Sequence, residues 1–351
     1  MPGLNIGIDL GTTNVNVYQQ GKGIVMSEPS VVAYRTTTGK MTAVGRTAYK
    51  MIGKEPPSIE TIRPMKDGVV SDFSVTEQML RYFIKKICGN EIFKPNIIIS
   101  MPGTVTNLEK RTILDVITAS GAGKACLLEE PLAAAIGAGI ETSHPSCVMV
   151  VDLGGGTTDV AVITMGSMAV ATSIKVAGNT LNDDIRRYCS RERNVLIGEQ
   201  TAENIKKQIG CAFRRPEGVA MIAKGKDYVT GMPVEFEINS TEVYLCMRTH
   251  ILNIVDSVMG VLERTPPELA GDIMEEGIIL TGGTALLYGL CDIIEERTGI
   301  KTRVAENPMD CVVNGIGHCL DHLELLFNNG YLFQTREDIS GVTNREQEDF
   351  E

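Results

Sequence analysis

The chain has 351 residues, which is enough for two core-forming domains. Its hydrophobic content of 43% and charged content of 22% are typical of an ordinary globular protein. The formal net charge of -11 argues against general nucleic-acid binding and against broad electrostatic adhesion to anionic lipid. Any membrane contact would therefore have to be local and apolar.

The cysteine and histidine content gives no metal or disulfide pattern. Nine cysteines occur without a C-x-x-C pair, and four histidines occur without metal-ligand spacing. Buried reduced thiols explain this scatter better than a disulfide framework or a zinc site. The first residues lack a secretory signal, and no uncharged apolar run reaches the roughly 18 residues that span a bilayer. We therefore expect a cytoplasmic protein.

The first half of the chain predicts a β-rich start followed by alternating helices and strands. Residues 4–18 read as a strand, a Gly/Thr turn and a second strand. The pattern then predicts a β segment at 24–33, a helix near 76–87, a strand at 96–100, a helix at 107–120, a strand at 125–128 and an Ala-rich helix at 132–139, which Pro131 opens.

The second half repeats this order from Cys147. The predicted elements are a hairpin at 148–164, a strand at 169–176, helices at 182–189, 201–212 and 249–263, a buried strand at 277–280 and a helix at 285–296. A βββαβα order used twice predicts an α/β fold of two duplicated ribonuclease-H-like domains around a cleft.

These elements suggest domain boundaries. The first domain would cover 1–142 with a small subdomain at about 32–66, and the second 143–320 with a small subdomain at about 179–250. We expect residues 321–351 to pack back at first and then to form an acidic disordered tail.

One motif occurs twice. Asp9-Leu10-Gly11-Thr12-Thr13-Asn14 recurs as Asp152-Leu153-Gly154-Gly155-Gly156-Thr157-Thr158-Asp159, each time between an apolar run and an alternating one. Glycine and threonine in a hairpin turn offer backbone N–H groups and hydroxyl donors to an anion. An aspartate at the mouth of the turn can hold a hydrated Mg²⁺ against that anion.

The doubled motif predicts a nucleotide-phosphate clamp. Asp9 and Asp152 would hold Mg²⁺, directly or through water, opposite the β- and γ-phosphates. The alternative is a pair of turn-initiating aspartates, which are common, but the doubled context favours the site. The residues that would grip the phosphate oxygens are Thr12, Thr13, Asn14, Gly155, Gly156 and Thr157.

Three further segments allow both a functional and a structural interpretation. Glu130, in Glu129-Glu130-Pro131, could orient or deprotonate a water for in-line attack on the γ-phosphate, or it could simply complement a helix N-terminus. Thr281-Gly282-Gly283-Thr284 could approach a nucleoside or α-phosphate, or it could be a tight strand–helix connection. Glu203 and Lys206 could reach the ribose or base, or they could form a solvated ion pair.

An apolar pair, Ile92-Phe93, lies in a turn-rich loop beside lysine. Loop apolar residues usually pack back into the core. Flanked by Lys94, the pair could instead enter a bilayer interface.

These motifs resemble those of the actin superfamily and, within it, the MreB family of bacterial cell-shape proteins. The resemblance runs from about residue 4 to 320 and is carried, beyond the two hairpins, by four stretches. They are 21–24 with Glu28-Pro29-Ser30-Val31, Ile62-Arg63-Pro64-Met65-Lys66-Asp67-Gly68-Val69, 129–137 and Glu263-Arg264-Thr265-Pro266-Pro267-Glu268-Leu269.

The resemblance implies an ATP-dependent filament-forming protein that hydrolyses ATP slowly. It implies assembly on the inner face of the cytoplasmic membrane, a role in wall elongation and rod shape, and RodZ and MreC-type partners. Glu130 would be the catalytic acid, and Ile92 and Phe93 would fall on a membrane-inserting loop. The implied nucleotide contacts are Thr12, Thr13, Asn14, Gly155, Gly156, Thr157, Glu203, Asn204, Ile205, Lys206, Thr281, Gly282, Gly283 and Thr284.

Three positions depart from the family pattern. Thr284 stands where a third glycine is usual, Thr13 replaces a small alanine, and Asp159 replaces a more usual glutamate. All three resemble heat-shock chaperone ATPases, so a chaperone-type ATPase is one alternative, and a small-molecule kinase of the same fold is another. A chaperone would need a long β-rich domain after the ATPase, and a kinase would need a further catalytic aspartate in the first half. The sequence offers neither, and both observations favour the filament.

Overall fold

The computed structural model describes residues 4–89, 94–142 and 146–321. The Ile92-Phe93 pair and the residues after Asp321 lie outside these ranges. Within them, the chain forms two five-stranded sheets and three smaller sheets.

The described part of the first half contains ten strands and four helices. The strands are β1 (Asn5–Leu10), β2 (Asn14–Gln19), β3 (Gly23–Pro29), β4 (Val32–Arg35), β5 (Met41–Val44), β6 (Ile59–Ile62), β7 (Met65–Lys66), β8 (Val69–Val70), β9 (Asn96–Met101) and β10 (Lys124–Glu129). The helices are α1 (Arg46–Tyr49), α2 (Phe73–Cys88), α3 (Asn107–Ala119) and α4 (Glu130–Gly137).

The described part of the second half contains eight strands, six α-helices and one 3₁₀ turn, Gly283–Leu286. The strands are β11 (Val148–Leu153), β12 (Thr158–Thr164), β13 (Ser167–Ile174), β14 (Val195–Leu196), β15 (Ala220–Asp227), β16 (Pro233–Asn239), β17 (Ile278–Thr281) and β18 (Thr302–Val304). The helices are α5 (Gly178–Glu192), α6 (Glu199–Ile209), α7 (Ser240–Arg264), α8 (Pro267–Glu276), α9 (Leu290–Thr298) and α10 (Cys311–Asp321).

The two large sheets have the same topology. Their strand orders are β3-β2-β1-β9-β10 and β13-β12-β11-β17-β18. In each sheet the first three strands form an antiparallel meander, and the last two extend it in parallel. Each parallel pairing needs a crossover connection, which places helices on the faces of the sheet. The predicted duplication is therefore present in the strand order itself.

Two helices pack between the sheets. Helix α4 contacts β11 and β12 of the second sheet, whereas α10 packs on β1, β2 and β9 of the first. The two helices also pack on each other at Gly137 and Gly315: a Cβ on Gly137 would lie 1.8 Å from the Cys311 carbonyl oxygen, and one on Gly315 would lie 1.9 Å from that of Ala133. Glycine is therefore required at both contacts for the helices to approach this closely.

Two of the three small sheets form lids above the cleft. We call β5-β4-β6 with α1 the first lid, and β14-β15-β16 with α6 the second lid. The predicted single β segment at 24–33 is wrong, because it splits into β3 of the large sheet and β4 of the first lid. The break follows Pro29, which has no N–H for a continuous ladder.

Helix α7 was predicted from residue 249 only, but it begins at Ser240, where the Asn239 side chain caps its N-terminus. By length and composition α7 is the one helix in the described residues that could cross a membrane. Its buried side chains belong to the core of the second domain, together with residues of β11 and β12.

All nine cysteines lie in the described residues, and each is a free thiol. Burial raises the pKa of Cys147 to about 11.

Candidate functional site

The turns of the two repeated hairpins meet across the cleft. A Cβ on Gly155 would lie 1.8 Å from Thr13 Oγ1, and a Cβ on Gly156 would lie 2.4 Å from Thr12 Oγ1. Only glycine allows the second turn to lie this close to the threonines of the first. A cavity of about 500 Å³ opens beside them and is lined by both turns. The sequence-predicted clamp residues Thr12, Thr13, Asn14, Gly155, Gly156 and Thr157 all line it.

Asp9 and Asp152 occupy equivalent places in this cavity. Asp9 accepts hydrogen bonds from Asn16 Nδ2 at 2.9 Å and from Ser100 Oγ at 3.2 Å. Asp152 accepts one from Thr281 Oγ1 at 2.7 Å. Burial raises the pKa of Asp9 to about 6 and that of Asp152 to about 7. Two carboxylates that are costly to ionise in the protein alone are suited to a cation, which would offset their desolvation.

Glu130 lies at the floor of the same cavity, at the start of α4. It is buried, and its Oε1 lies 3.3 Å from Ser100 Oγ, whose one proton is shared between the Asp9 and Glu130 carboxyl groups. Burial, followed by the negative charge of Asp159, raises the pKa of Glu130 well above its ordinary value. A raised pKa is expected of a carboxyl group that takes a proton from water near neutral pH.

Asp159 lies on β12 opposite Asp152 in the strand register. It is fully buried, and its Oδ1 accepts a hydrogen bond from the Gly103 N–H at 3.0 Å. The departure from the family pattern at this position thus places a short acid beside the catalytic candidate.

The third glycine-rich turn closes one wall of the cavity. Gly282, Gly283 and Thr284 line it, and Thr284 Oγ1 donates to the Gly154 carbonyl oxygen at 2.9 Å. On the adjoining wall Lys206 Nζ donates to the Gly178 carbonyl oxygen at 2.7 Å, and burial lowers the pKa of Lys206 to about 8. Glu203 also lines the cavity.

Three predicted contacts do not line the cavity. Asn204 is exposed, Ile205 is wholly buried in the core, and Thr281 is buried behind Asp152, to which it donates. On a helix, Glu203, Lys206 and Lys207 share one face, whereas the two positions between them turn away from it. Thr281 therefore supports a predicted metal ligand rather than contacting a ligand itself.

Several lining residues were not identified from the sequence. Asn179 and Asn182 follow the second hairpin on α5, while Arg215 and Tyr288 form the far wall. The Arg215 guanidinium lies 4.2 Å from the centre of the Tyr288 ring. The two residues lie 73 positions apart and carry no motif, and only the tertiary fold brings them together.

The cavity contains polar atoms without protein partners. In the part of the chain that the structure describes, Thr13 Oγ1 and Asn182 Oδ1 are buried without a hydrogen-bond partner. Buried polar groups are normally satisfied, so these atoms indicate a polar ligand. No group of three or more acidic, His or Cys residues among the described residues could hold a metal by itself. Two aspartates are consistent with a hydrated Mg²⁺ that takes its other ligands from water and phosphate.

The family model described as MreB/Mbl protein matches residues 3–328 of this chain. The chain belongs to the MreB/Mbl family. It is 47% identical over 323 residues to the cell shape-determining protein Mbl of Bacillus subtilis, covering 92% of this chain and 97% of that protein. It is 42% identical over 335 residues to the cell shape-determining protein MreB of Escherichia coli, covering 94% and 96%.

Solved structures agree with this assignment. Spiroplasma citri MreB5 bound to ADP matches with a TM-score of 0.88 and 36% identity, over 93% of this chain and 99% of that one. The same protein bound to AMPPNP matches with a TM-score of 0.88 and 37% identity, over 94% and 99%. The predicted actin-like α/β fold and the predicted family are both confirmed, and the chain is a member of a cytoskeletal, actin-like family.

Proposed function

We propose that this member of the MreB/Mbl family is an ATP-dependent, filament-forming cytoskeletal protein that maintains cell shape. The observation that carries the proposal is the cavity between the two duplicated hairpins, with its unpartnered polar atoms, in a chain whose relatives are cell shape-determining proteins. The MreB5 structures bound to ADP and AMPPNP support a nucleotide as the ligand.

In this proposal the two hairpin turns bind the β- and γ-phosphates from opposite sides. The backbone N–H groups of Gly155 and Gly156 and the free hydroxyl of Thr13 would donate to the phosphate oxygens. Glu203, Lys206 and the turn Gly282–Thr284 would contact the nucleoside end. Asp9 and Asp152 would hold Mg²⁺, which supplies positive charge to the phosphate oxygens when bound.

Glu130 is the proposed catalytic residue. Its carboxyl group would orient the attacking water and take a proton from it, and Ser100 holds one of its oxygens in place. The raised pKa of Glu130 suits a base, because a carboxylate with a higher pKa accepts a proton more readily. The slow rate of hydrolysis would then set how long a subunit keeps its ATP.

The remaining parts of the proposal rest on the family resemblance. The protein would act in the cytoplasm on the inner face of the cytoplasmic membrane, inserting Ile92 and Phe93, and would organise wall elongation with RodZ and MreC-type partners. The net charge of -11 favours such a local apolar anchor over a broad electrostatic one. The chaperone and kinase alternatives lose their support, because the family match runs over almost the whole chain.

Assembly can be tested directly. Purified protein with ATP and Mg²⁺ is expected to pellet on ultracentrifugation and to form filaments under the electron microscope. The matched sample with EDTA is expected to remain in the supernatant. A protein that stays monomeric in every nucleotide state at high concentration would exclude the proposed function.

Membrane association has its own test. Ile92→Ser with Phe93→Ser should abolish co-sedimentation with anionic liposomes while leaving filaments intact. The control is Val229→Ser with Met232→Ser, a second exposed apolar pair on the second lid, which should keep liposome binding. If the Ile92/Phe93 variant still binds liposomes, the two residues are not the membrane contact.

A further inference from the structure

In the described residues, the two lids contact each other across the cleft through a group of side chains. Tyr49 ends α1 of the first lid, and Arg63 directly follows β6 of that lid. Glu199, Gln200 and Glu203 come from α6 of the second lid. We call these five residues the cross-lid cluster. The contacting residues lie 136 to 154 positions apart in sequence, so only the tertiary fold brings them together.

The contacts of the cluster are specific. Tyr49 Oη donates to Glu203 Oε2 at 2.6 Å, and Gln200 Nε2 donates to the Tyr49 carbonyl oxygen at 2.8 Å. Arg63 forms an ion pair with Glu199, and its guanidinium lies 5.8 Å from the centre of the Tyr49 ring. The ends of α1 and β6 are thereby tied to the first two turns of α6.

One member of the cluster also faces the nucleotide cavity. Glu203 lines the cavity and receives both the Tyr49 hydroxyl and Lys207 Nζ, the latter at 2.6 Å. Burial alone would raise the pKa of Glu203, but the hydrogen bonds from Lys207 and Tyr49 lower it. Tyr49 therefore helps to keep a charged carboxylate in a fixed position at the cavity wall.

We propose that Tyr49 and Arg63 are positioning residues for the nucleotide site: by holding Glu203 and α6 they couple closure of the lids to retention of the nucleotide. The inference rests on the proposed function, in which Glu203 contacts the nucleoside end of ATP. A lid that opens must break the Tyr49–Glu203 and Arg63–Glu199 contacts together. A bound nucleotide that stabilises Glu203 in turn favours the closed lids, because such coupling is reciprocal.

The direct test is nucleotide release from the full-length protein, measured with a fluorescent N-methylanthraniloyl ATP below the concentration of assembly. Tyr49→Phe keeps the ring beneath Arg63 and removes only the hydroxyl. Release is expected to speed up by about tenfold, the loss expected for a hydrogen bond to a charged group. The matched control is Tyr82→Phe, an exposed tyrosine of α2 outside the cleft, which should release nucleotide at the wild-type rate.

Variants of the Arg63–Glu199 ion pair test the coupling in a second way. Arg63→Ala and Glu199→Ala are each expected to speed release up to about fivefold, since the pair is partly exposed. The double variant should release no faster than either single one, because the two residues act as one contact. If the two single effects on nucleotide release add fully in the double variant, Arg63 and Glu199 act independently, and the inference is overturned.

Amide hydrogen exchange distinguishes coupling from local support. In Tyr49→Phe, α6 should lose protection together with α1, although the two helices lie in different lids. Unchanged exchange in α6, or unchanged nucleotide release, would overturn the inference. If the wild-type protein binds no nucleotide, the proposed function fails instead. The exchange measurement still decides whether the cluster holds the lids together.

Discussion

The two hairpins have the same strand pairing but different side chains beside their aspartates. In each, an aspartate on the first strand accepts a hydrogen bond from a hydroxyl on the neighbouring parallel strand: Ser100 for Asp9 and Thr281 for Asp152. The residue opposite the aspartate differs, because Asn16 faces Asp9 whereas Asp159 faces Asp152.

This difference changes the charge around the two aspartates. Asn16 donates to Asp9, whereas a carboxylate at 159 has no proton to donate when ionised and instead adds negative charge beside Glu130. The first hairpin therefore holds its aspartate in a polar, satisfied environment. The second gathers acids around the catalytic candidate. Duplication thus supplies two equivalent hairpins, and the residue opposite each aspartate makes their electrostatics different.

The largest effect is expected from removing the base itself. Glu130→Gln keeps the shape of the side chain but cannot take a proton from water. Phosphate release should fall at least about tenfold, which corresponds to about 1.4 kcal/mol of barrier, while ATP binding is retained. Glu129→Gln, the same change one residue earlier, is the control and should hydrolyse ATP normally. Equal turnover in the wild type and Glu130→Gln would remove the catalytic assignment.

Asp159→Asn makes the second hairpin resemble the first. It removes the negative charge that helps to raise the pKa of Glu130, so that Glu130 ionises at a lower pH. Since an ionised base is needed, the rise of phosphate release with pH should shift to lower pH. The measurement is the rate of phosphate release across neutral pH, with Asn16→Asp as the reciprocal variant. A profile that does not move would show that Asp159 acts on the fold and not on Glu130.

The two aspartates should also differ in how much their ionisation lowers the stability of the nucleotide-free protein. The pKa of Asp152 is raised from 3.8 to about 7, so the folded state holds more protons than the unfolded state between these values. Its contribution therefore favours folding at low pH and is lost as the pH rises towards 7. For Asp9, with a pKa of about 6, the same loss is smaller.

Asp152→Asn should accordingly raise the free energy of unfolding at about pH 8 by on the order of 1 kcal/mol, and Asp9→Asn by less. Near pH 5 both variants should match the wild type more closely. Denaturant unfolding without nucleotide or Mg²⁺ measures this. The same variants should lose stabilisation by Mg²⁺ with ATP, because a ligand stabilises only the state that binds it. A larger increase in the free energy of unfolding for Asp9→Asn than for Asp152→Asn would contradict this prediction.

The sequence predicted the hairpins because their turn chemistry and apolar alternation are local. The hydroxyl partners of the aspartates were not predictable in this way. Ser100 and Thr281 lie 91 and 129 positions from Asp9 and Asp152, and only the parallel pairing of β9 and β17 brings them near. The Arg215–Tyr288 wall and the cross-lid cluster escaped prediction for the same reason.

Two predictions covered more of the chain than the local pattern supports. The resemblance implies the whole block from Glu203 to Lys206 as contacts, whereas a helix presents only one face of such a block to the cavity. The 24–33 segment shows that a β pattern can continue through a change of sheet. Helical periodicity, applied residue by residue, favours Glu203 and Lys206 over the two positions between them.

The smallest expected effect concerns Thr284, where the family usually has glycine. The side chain of Thr284 adds a hydroxyl that donates to the Gly154 carbonyl oxygen and so connects the third turn to the second hairpin. Thr284→Gly should therefore lower the free energy of unfolding by about 1 kcal/mol and speed nucleotide release only slightly. Thr284→Ser keeps the hydroxyl and should behave as the wild type. If Thr284→Gly instead retains nucleotide for longer, steric narrowing outweighs the hydrogen bond, and the departure from the family pattern weakens the site.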